Sequence, residues 1–137
     1  MSGYNSNLAG EFYVLSMLHR LGADATLTLG NKKSVDIVVV RAAGKTVTVD
    51  VKALAGRTSW PVDNFRGGKK GHFLALVCFL GKIERLDATP EIYIVPSLEL
   101  DGHIYHANKS GRKVVQLSRM RRDGAKYRKP SAWKKLL

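Results

Sequence analysis

Acidic residues are scarce in this chain, and cysteine is almost missing. Eleven Asp and Glu stand against 23 Lys and Arg, a formal net charge of +12, which favours polyanionic partners. The single cysteine, Cys78, excludes a disulfide framework and leads to the expectation of a reducing, cytoplasmic setting. It lies inside an apolar run and reads as core. That run, Phe73 to Leu80, is the longest in the sequence. It is far short of the ~20 residues a membrane helix needs, so no membrane association is expected. The opening MSGYNSNLAGE has no basic stretch followed by an apolar one, and no signal peptide is expected. Repeats and long low-complexity linkers are also missing, and 137 residues suit a single domain, 1–137.

The positive charge is concentrated. From Lys109 to Leu137 there are 11 basic residues and one acid, Asp123, a net +10, whereas residues 1–108 carry only +2. This basic C-terminal segment, 109–137, points to nucleic acid, with a solvated tail as the plain alternative.

Periodicity organises the rest. Leu8, Phe12, Leu15, Leu18 and Leu21 recur three and four apart, predicting a helix over 6–21 that Gly22 ends. Strands are expected at 24–29, 34–41 and 45–52, a buried central strand at 73–80, and a further strand at 91–95 closed by Pro96. Residues 53–72 read as a loop, with a short helix after Pro61 an option. Weaker signals suggest a short helix at 97–100, a strand at 103–107 and a helical turn around Val114, Leu117 and Met120. Pro130 opens a terminal helix with Trp133, Leu136 and Leu137 on one side. This order implies an α/β or α+β fold around one mixed sheet.

Three acids stand in apolar surroundings. In VTVDVKALAG, Val47, Val49 and Val51 alternate with Asp50 and Lys52. If Ala42-Ala43-Gly44 forms a three-residue hairpin loop, Arg41 pairs with Lys45 and Asp36 falls opposite Asp50, with Cβ atoms roughly 4.5–5.5 Å apart. A two-residue loop would instead put the two acids on opposite faces. Opposed carboxylates repel, so they need Lys52, a divalent cation, or both. On the first helix, Glu11 falls between Leu15 and Leu18 on the apolar side, where an unpaired acid is costly.

Gly10-Glu11 at the start of an amphipathic helix, Val35-Asp36 in an apolar strand and Asp50-Val51-Lys52 ending the next strand resemble the PD-(D/E)XK nuclease superfamily. Its members include many restriction endonucleases and Holliday junction resolvases, and a helix Glu is typical of the resolvase-like branch. Val35 departs from the pattern, standing where the name-giving proline would be. The resemblance implies a restriction endonuclease-like core, a mixed central β-sheet flanked by helices. It implies a DNA substrate, metal binding by Asp36 and Asp50 with Glu11 as a further candidate, and Lys52 beside the attacking water. It also implies a homodimer whose two sites reach two strands.

The chemistry fits those residue types. Mg²⁺ prefers octahedral oxygen ligands and keeps several waters. Asp36, Asp50 and the Val51 carbonyl are able to hold one ion, with Mn²⁺ as a substitute. The expected activity is metal-dependent endonucleolytic cleavage of DNA, structure-specific in the resolvase manner. Restriction or homing-type cleavage, or nucleic-acid binding without catalysis, are the alternatives. For DNA contact the candidates are Lys32 and Lys33 before the Asp36 strand, Arg57, Trp60, Arg66, Lys69 and Lys70 in the glycine-rich segment 57–72, and Arg119, Arg121 and Arg122 in the basic segment. Other motifs fail. Gly44-Lys45-Thr46 lacks the upstream glycine and following helix of a P-loop. His103 and His106 would face opposite sides of a strand, which disfavours a zinc site.

Overall fold

The computed structural model describes residues 3–28, 36–107 and 111–137. Helix α1 (Gly3–Arg20) is followed by strands β1 (Asp24–Leu27), β2 (Ile37–Val40), β3 (Thr46–Leu54), β4 (Ser59–Pro61), β5 (His72–Cys78), β6 (Glu91–Pro96), β7 (Ile104–His106) and β8 (Lys113–Gln116), then helices α2 (Leu117–Asp123) and α3 (Pro130–Lys134). Single 3₁₀ segments lie at Ala42–Gly44, Ser97–His103 and Ala125–Arg128.

Five strands form the central sheet in the order β1-β2-β3-β5-β6. β3 and β5 run parallel and the other pairs antiparallel, so the sheet is mixed. β5 is buried along its whole length, which is why its sequence HFLALVC is apolar without alternation. One face of the sheet carries Val47, Val49, Val51, Ala75 and Val77 and packs against Val14 and Leu18 of α1 and Trp133 and Leu136 at the C-terminus. The other face carries Leu74, Leu76, Cys78 and Tyr93 and is covered by Trp60, Val115, Leu117 and Met120. The architecture is therefore α/β, a mixed central sheet flanked by helices.

The α1 terminus follows from Gly22. Its φ of +81° closes a Schellman motif, with Ala23 N–H bonding Leu18 O at 2.9 Å and Gly22 N–H bonding His19 O at 3.0 Å. The expected apolar stripe of α1 needs correction. Phe12 is 56 % exposed and Leu21 46 %, while the buried side runs through Gly10, Val14 and Leu18. Gly10 is at the closest approach to the sheet: a Cβ there would lie 2.8 Å from the Ala53 Cβ. A residue without a side chain leaves no hydrophobic signal, so the stripe drawn from leucines is rotated from the true one.

A second sheet, β4-β8-β7, was not foreseen. β4 falls in the segment expected to be loop, and the stretch after Pro61 forms no helix. Val114 lies in strand β8 rather than in a helical turn. These strands have three or four residues each, too short for alternation to register. The basic C-terminal segment is correspondingly no solvated tail. It supplies β8, α2 and α3, and its Met120, Tyr127, Trp133 and Leu136 are buried. Leu137 is 39 % exposed, apart from the other two apolar residues of that turn. Among the described residues, no helix is long and apolar enough to cross a membrane.

Candidate active site

The hairpin between β2 and β3 sets the site. Ala42–Gly44 makes a three-residue connection with Ala43 at φ +66° and Gly44 at φ +73°, and Arg41 N–H bonds Lys45 O at 2.6 Å. The register follows, with Val40 opposite Thr46 and Ile37 opposite Val49. Continued by one residue, it brings Asp36 to Asp50. Alternation then puts Asp36, Asp50 and Lys52 together on the sheet face opposite Ile37, Val49 and Val51.

The described part of β2 reaches only to Ile37 while β3 continues to Leu54, so beyond Val49 no described strand lies beside this edge of β3. Two side chains occupy that edge instead. Val51 N–H donates to Asp36 Oδ2 at 2.7 Å, and Ala53 N–H donates to Asn7 Oδ1 at 3.3 Å. Asn7 is one helical turn before Glu11, and α1 lies close to this edge because Gly10 permits it. Glu11 thereby reaches the acid pair around the edge of the sheet, although α1 packs on the far face. A cleft of about 480 Å³ opens here, lined by Asn7, Glu11, Asp36, Asp50, Val51 and Lys52 among others.

The electrostatics are those of crowded acids. Asp50 is buried, 8 % exposed. Burial raises the Asp36 pKa to about 6; the Asp50 carboxyl, as hydrogen-bond partner and as charge, pushes the same way, against the opposing Val51 N–H and Lys52 ammonium. Burial also raises the Glu11 pKa, with the Asp36 charge adding to it. Lys52 Nζ stands 3.4 Å from Asp50 Oδ2 and supplies one positive charge. Among the described residues, no group of three His, Cys, Asp or Glu side chains is drawn close enough to hold a metal ion. The protein's own ligands for a cation here would be two paired carboxylates plus the Val51 carbonyl, which shares the open edge with the Val51 N–H. That all-oxygen set fits Mg²⁺, which is commonly bound through one or two carboxylates and completes its shell with water and phosphate.

The nucleic-acid candidates separate. Lys32 and Lys33 lie outside the described residues. Arg57, Arg66, Lys69 and Lys70 are exposed. Arg57 Nε bonds Leu80 O at 3.3 Å, and Arg66 bonds the Asp63 carbonyl at 2.6 Å. The glycines of this loop have a structural cause: a Cβ on Gly68 would sit 2.4 Å from the Ser97 backbone. Trp60 must be corrected. It is fully buried beneath the cleft wall, with its indole N–H on Val77 O at 2.9 Å and its ring edge-on to Tyr93, so no face is offered to a base. Arg121 is corrected as well. It grips buried Glu91 through Nε at 3.0 Å and Nη2 at 2.7 Å, and Arg128 lies 3.6 Å from the same carboxylate. Arg122 pairs with Asp123 at 3.1 Å. Arg119 is half-buried on α2.

Asn7 escaped the sequence reading, and Gly10 entered it only as the neighbour of Glu11, not as the point where α1 meets the sheet. The available signal was the spacing Gly3-Asn7-Glu11, a small and polar stripe four residues apart beside the apolar one.

No family model matches the chain, and no curated protein is detectably similar to it. Among solved structures, a bacterial homing endonuclease, I-Ssp6803I, aligns with 16 % identity and a TM-score of 0.47, over 91 % of this chain and 96 % of that one. A TM-score at this level decides neither fold nor function.

Proposed function

We propose that the protein is a metal-dependent DNA endonuclease of the PD-(D/E)XK type, with branched DNA as its lead substrate. The observation that carries this reading is the convergence of Asp36 and Asp50 on the open edge of β3, with Lys52 3.4 Å from Asp50 and Glu11 in the same cleft. A protein that only binds polyanions gains nothing from gathering three acids where its substrate would lie.

Hydrolysis forms a bond from a water oxygen to phosphorus and breaks the bond from phosphorus to one sugar oxygen. The leaving oxygen takes a proton, and the other passes to solvent. Asp36, Asp50 and the Val51 carbonyl would hold the ion. A bound divalent ion supplies neutralisation of the phosphate and a lowered pKa for water. Lys52 donates hydrogen bonds into the cleft, orienting the attacking water and countering the charge that grows on the phosphate oxygens. Glu11 accepts from water at the α1 side. The Val51 amide keeps the Asp36 carboxylate in one orientation, through a bond of 2.7 Å.

The test is incubation with linear, supercoiled and four-way-junction DNA, with Mg²⁺ and with EDTA. Cleavage of the junction alone supports the resolvase-like reading. Cutting of linear DNA at fixed positions supports the restriction or homing alternative. Binding without cleavage in any arm leaves a nucleic-acid-binding protein. Two-site cleavage also calls for two copies on one substrate, which sedimentation of the complex measures.

A further inference from the structure

We infer a second anion-binding cleft, formed by Arg41, Lys45, Lys70 and Lys135, that grips the phosphate backbone of the nucleic acid. The partner class rests on the nuclease reading; the cleft itself does not.

Most other basic side chains of the basic segment and the acid cleft are already committed. Lys52 faces Asp50, Arg112 faces Asp63, Arg121 and Arg128 share Glu91, Arg122 faces Asp123 and Lys126 faces Glu99. Lys45, Lys70 and Lys135 form no such ion pair among the described residues, and Arg41 is held by an oxygen of Leu137. They come from separate parts of the chain, and each is exposed. Arg41 and Lys45 flank the β2–β3 turn, Lys70 precedes β5, and Lys135 follows α3. Together with Gly44, Thr46 and Gly71 they surround a hollow of about 750 Å³ that has no acidic residue in its lining. Outside the hollow, Lys135 also acts on Glu99, whose carboxyl is lowered chiefly by the Tyr127 hydroxyl and further by Lys126.

Four like charges around one hollow repel each other, which a fold tolerates more readily when an anion fills the space. The walls are also held in shape. Arg41 Nε bonds Leu137 O at 3.0 Å, fixing the guanidinium through one of its five N–H groups. Gly44 and Gly71 take φ values of +73° and +77°, and Thr48 N–H bonds Gly71 O at 2.9 Å, tying the Lys70 loop to β3. Arginine and lysine together suit phosphate, the first by bidentate bonding and the second as a point charge.

The position is informative. Lys45 immediately precedes β3 and stands five residues before Asp50, roughly 17 Å at 3.4 Å per residue. That is about half a turn of duplex, whose turn is roughly 34 Å. The hollow, lined by Val47 and Phe73, opens on the α1 side of the sheet and the acid pair on the other, so a nucleic acid that fills both has to pass an edge of the sheet.

The test replaces Lys45, Lys70 and Lys135 with Gln together and measures duplex DNA binding by fluorescence anisotropy in EDTA across a salt series. The slope of log affinity against log salt should flatten by about 2.7, near 0.9 for each phosphate that a lysine no longer neutralises. Affinity at physiological salt should fall at least tenfold, with the thermal midpoint unchanged or raised. A control with the same charge change, Arg20→Gln, Lys129→Gln and Lys134→Gln, should lose far less. An unchanged slope in the first variant, or an equal loss in the control, overturns the cleft. Because binding is read without metal, the two readings fail separately. Wild-type protein that binds through the cleft but does not cut with Mg²⁺ removes the nuclease; protein that cuts, with an unchanged slope in the variant, removes the cleft.

Discussion

The Asp36 carboxylate accepts the Val51 amide at 2.7 Å, just past the last described β2–β3 pair, Ile37 and Val49. One side chain thus satisfies a strand amide and also faces Asp50.

Removing the charge from Asp36 should therefore separate stability from metal binding. Asn retains an oxygen for the Val51 amide but relieves the repulsion from Asp50. Asp36→Asn should raise the thermal midpoint of metal-free protein at pH 7 and abolish the further rise that Mg²⁺ gives the wild type. The pH dependence follows from the raised pKa of about 6 against a usual 3.8. The folded state binds the extra proton, so this group's contribution is fully present below about pH 4 and is lost as pH rises through 6. Metal-free wild type should gain stability over that window on acidification, relative to the Asn variant; parallel curves in a thermal-shift titration would contradict it.

Asp50→Asn should leave duplex affinity intact or improved while cutting the Mg²⁺-dependent cleavage rate by about 10²-fold or more, the scale seen when one charge-stabilising group is removed from an active site. The substitution lowers the negative charge near phosphate and removes a ligand at the same time. Single-turnover cleavage beside anisotropy measures both. Wild-type rates in the variant would mean that Asp50 holds no metal.

Gly10→Ala tests how α1 is seated. Ala gains up to about 1 kcal/mol in helix propensity, but its Cβ would sit 2.8 Å from the Ala53 Cβ and 3.4 Å from Val51 Cγ1. Overpacking of that kind costs about 1–3 kcal/mol, so chemical denaturation should show a net loss of about 1 kcal/mol. Relief requires α1 to move off β3, which carries Glu11 away from the acid pair, and cleavage should fall more than stability does.

Arg121→Gln should destabilise the fold without flattening the salt dependence of DNA binding. Glu91 is 5 % exposed, and Arg121, then Tyr93 and Arg128, hold its pKa down to about 2. A depressed carboxylate adds stability that is present above about pH 4.5 and is lost as pH falls towards 2. The variant should lower the thermal midpoint at pH 7 and begin acid unfolding at higher pH than the wild type. Arg119→Gln, which leaves this pair intact, should do neither. Equal midpoints for the two variants would remove the structural role assigned to Arg121.

The acid pair was legible in the sequence because it depends on counting. A three-residue turn, two alternating strands and a shared register bring Asp36 to Asp50 whatever surrounds them, and the apolar run 73–80 marks the central strand, His72–Cys78, by its composition alone. Local rules of that kind need only nearest neighbours along the chain. What covers each surface is not local. Trp60 and Arg121 both read as polyanion contacts from the sequence; the tertiary structure buries the first and pairs the second with Glu91, while most basic side chains of the C-terminal segment stay exposed. Strands β4 and β8 meet across 55 residues and bury Trp60 between the sheets, and Glu91 claims Arg121 from 30 residues away. Burial of an indole and pairing of a buried carboxylate are favourable only once those distant segments are in place, so no pattern within either segment announces them. The same reason hid the roles of Gly10 and Asn7, which depend on the approach of a helix to the edge of a strand more than 40 residues away in sequence.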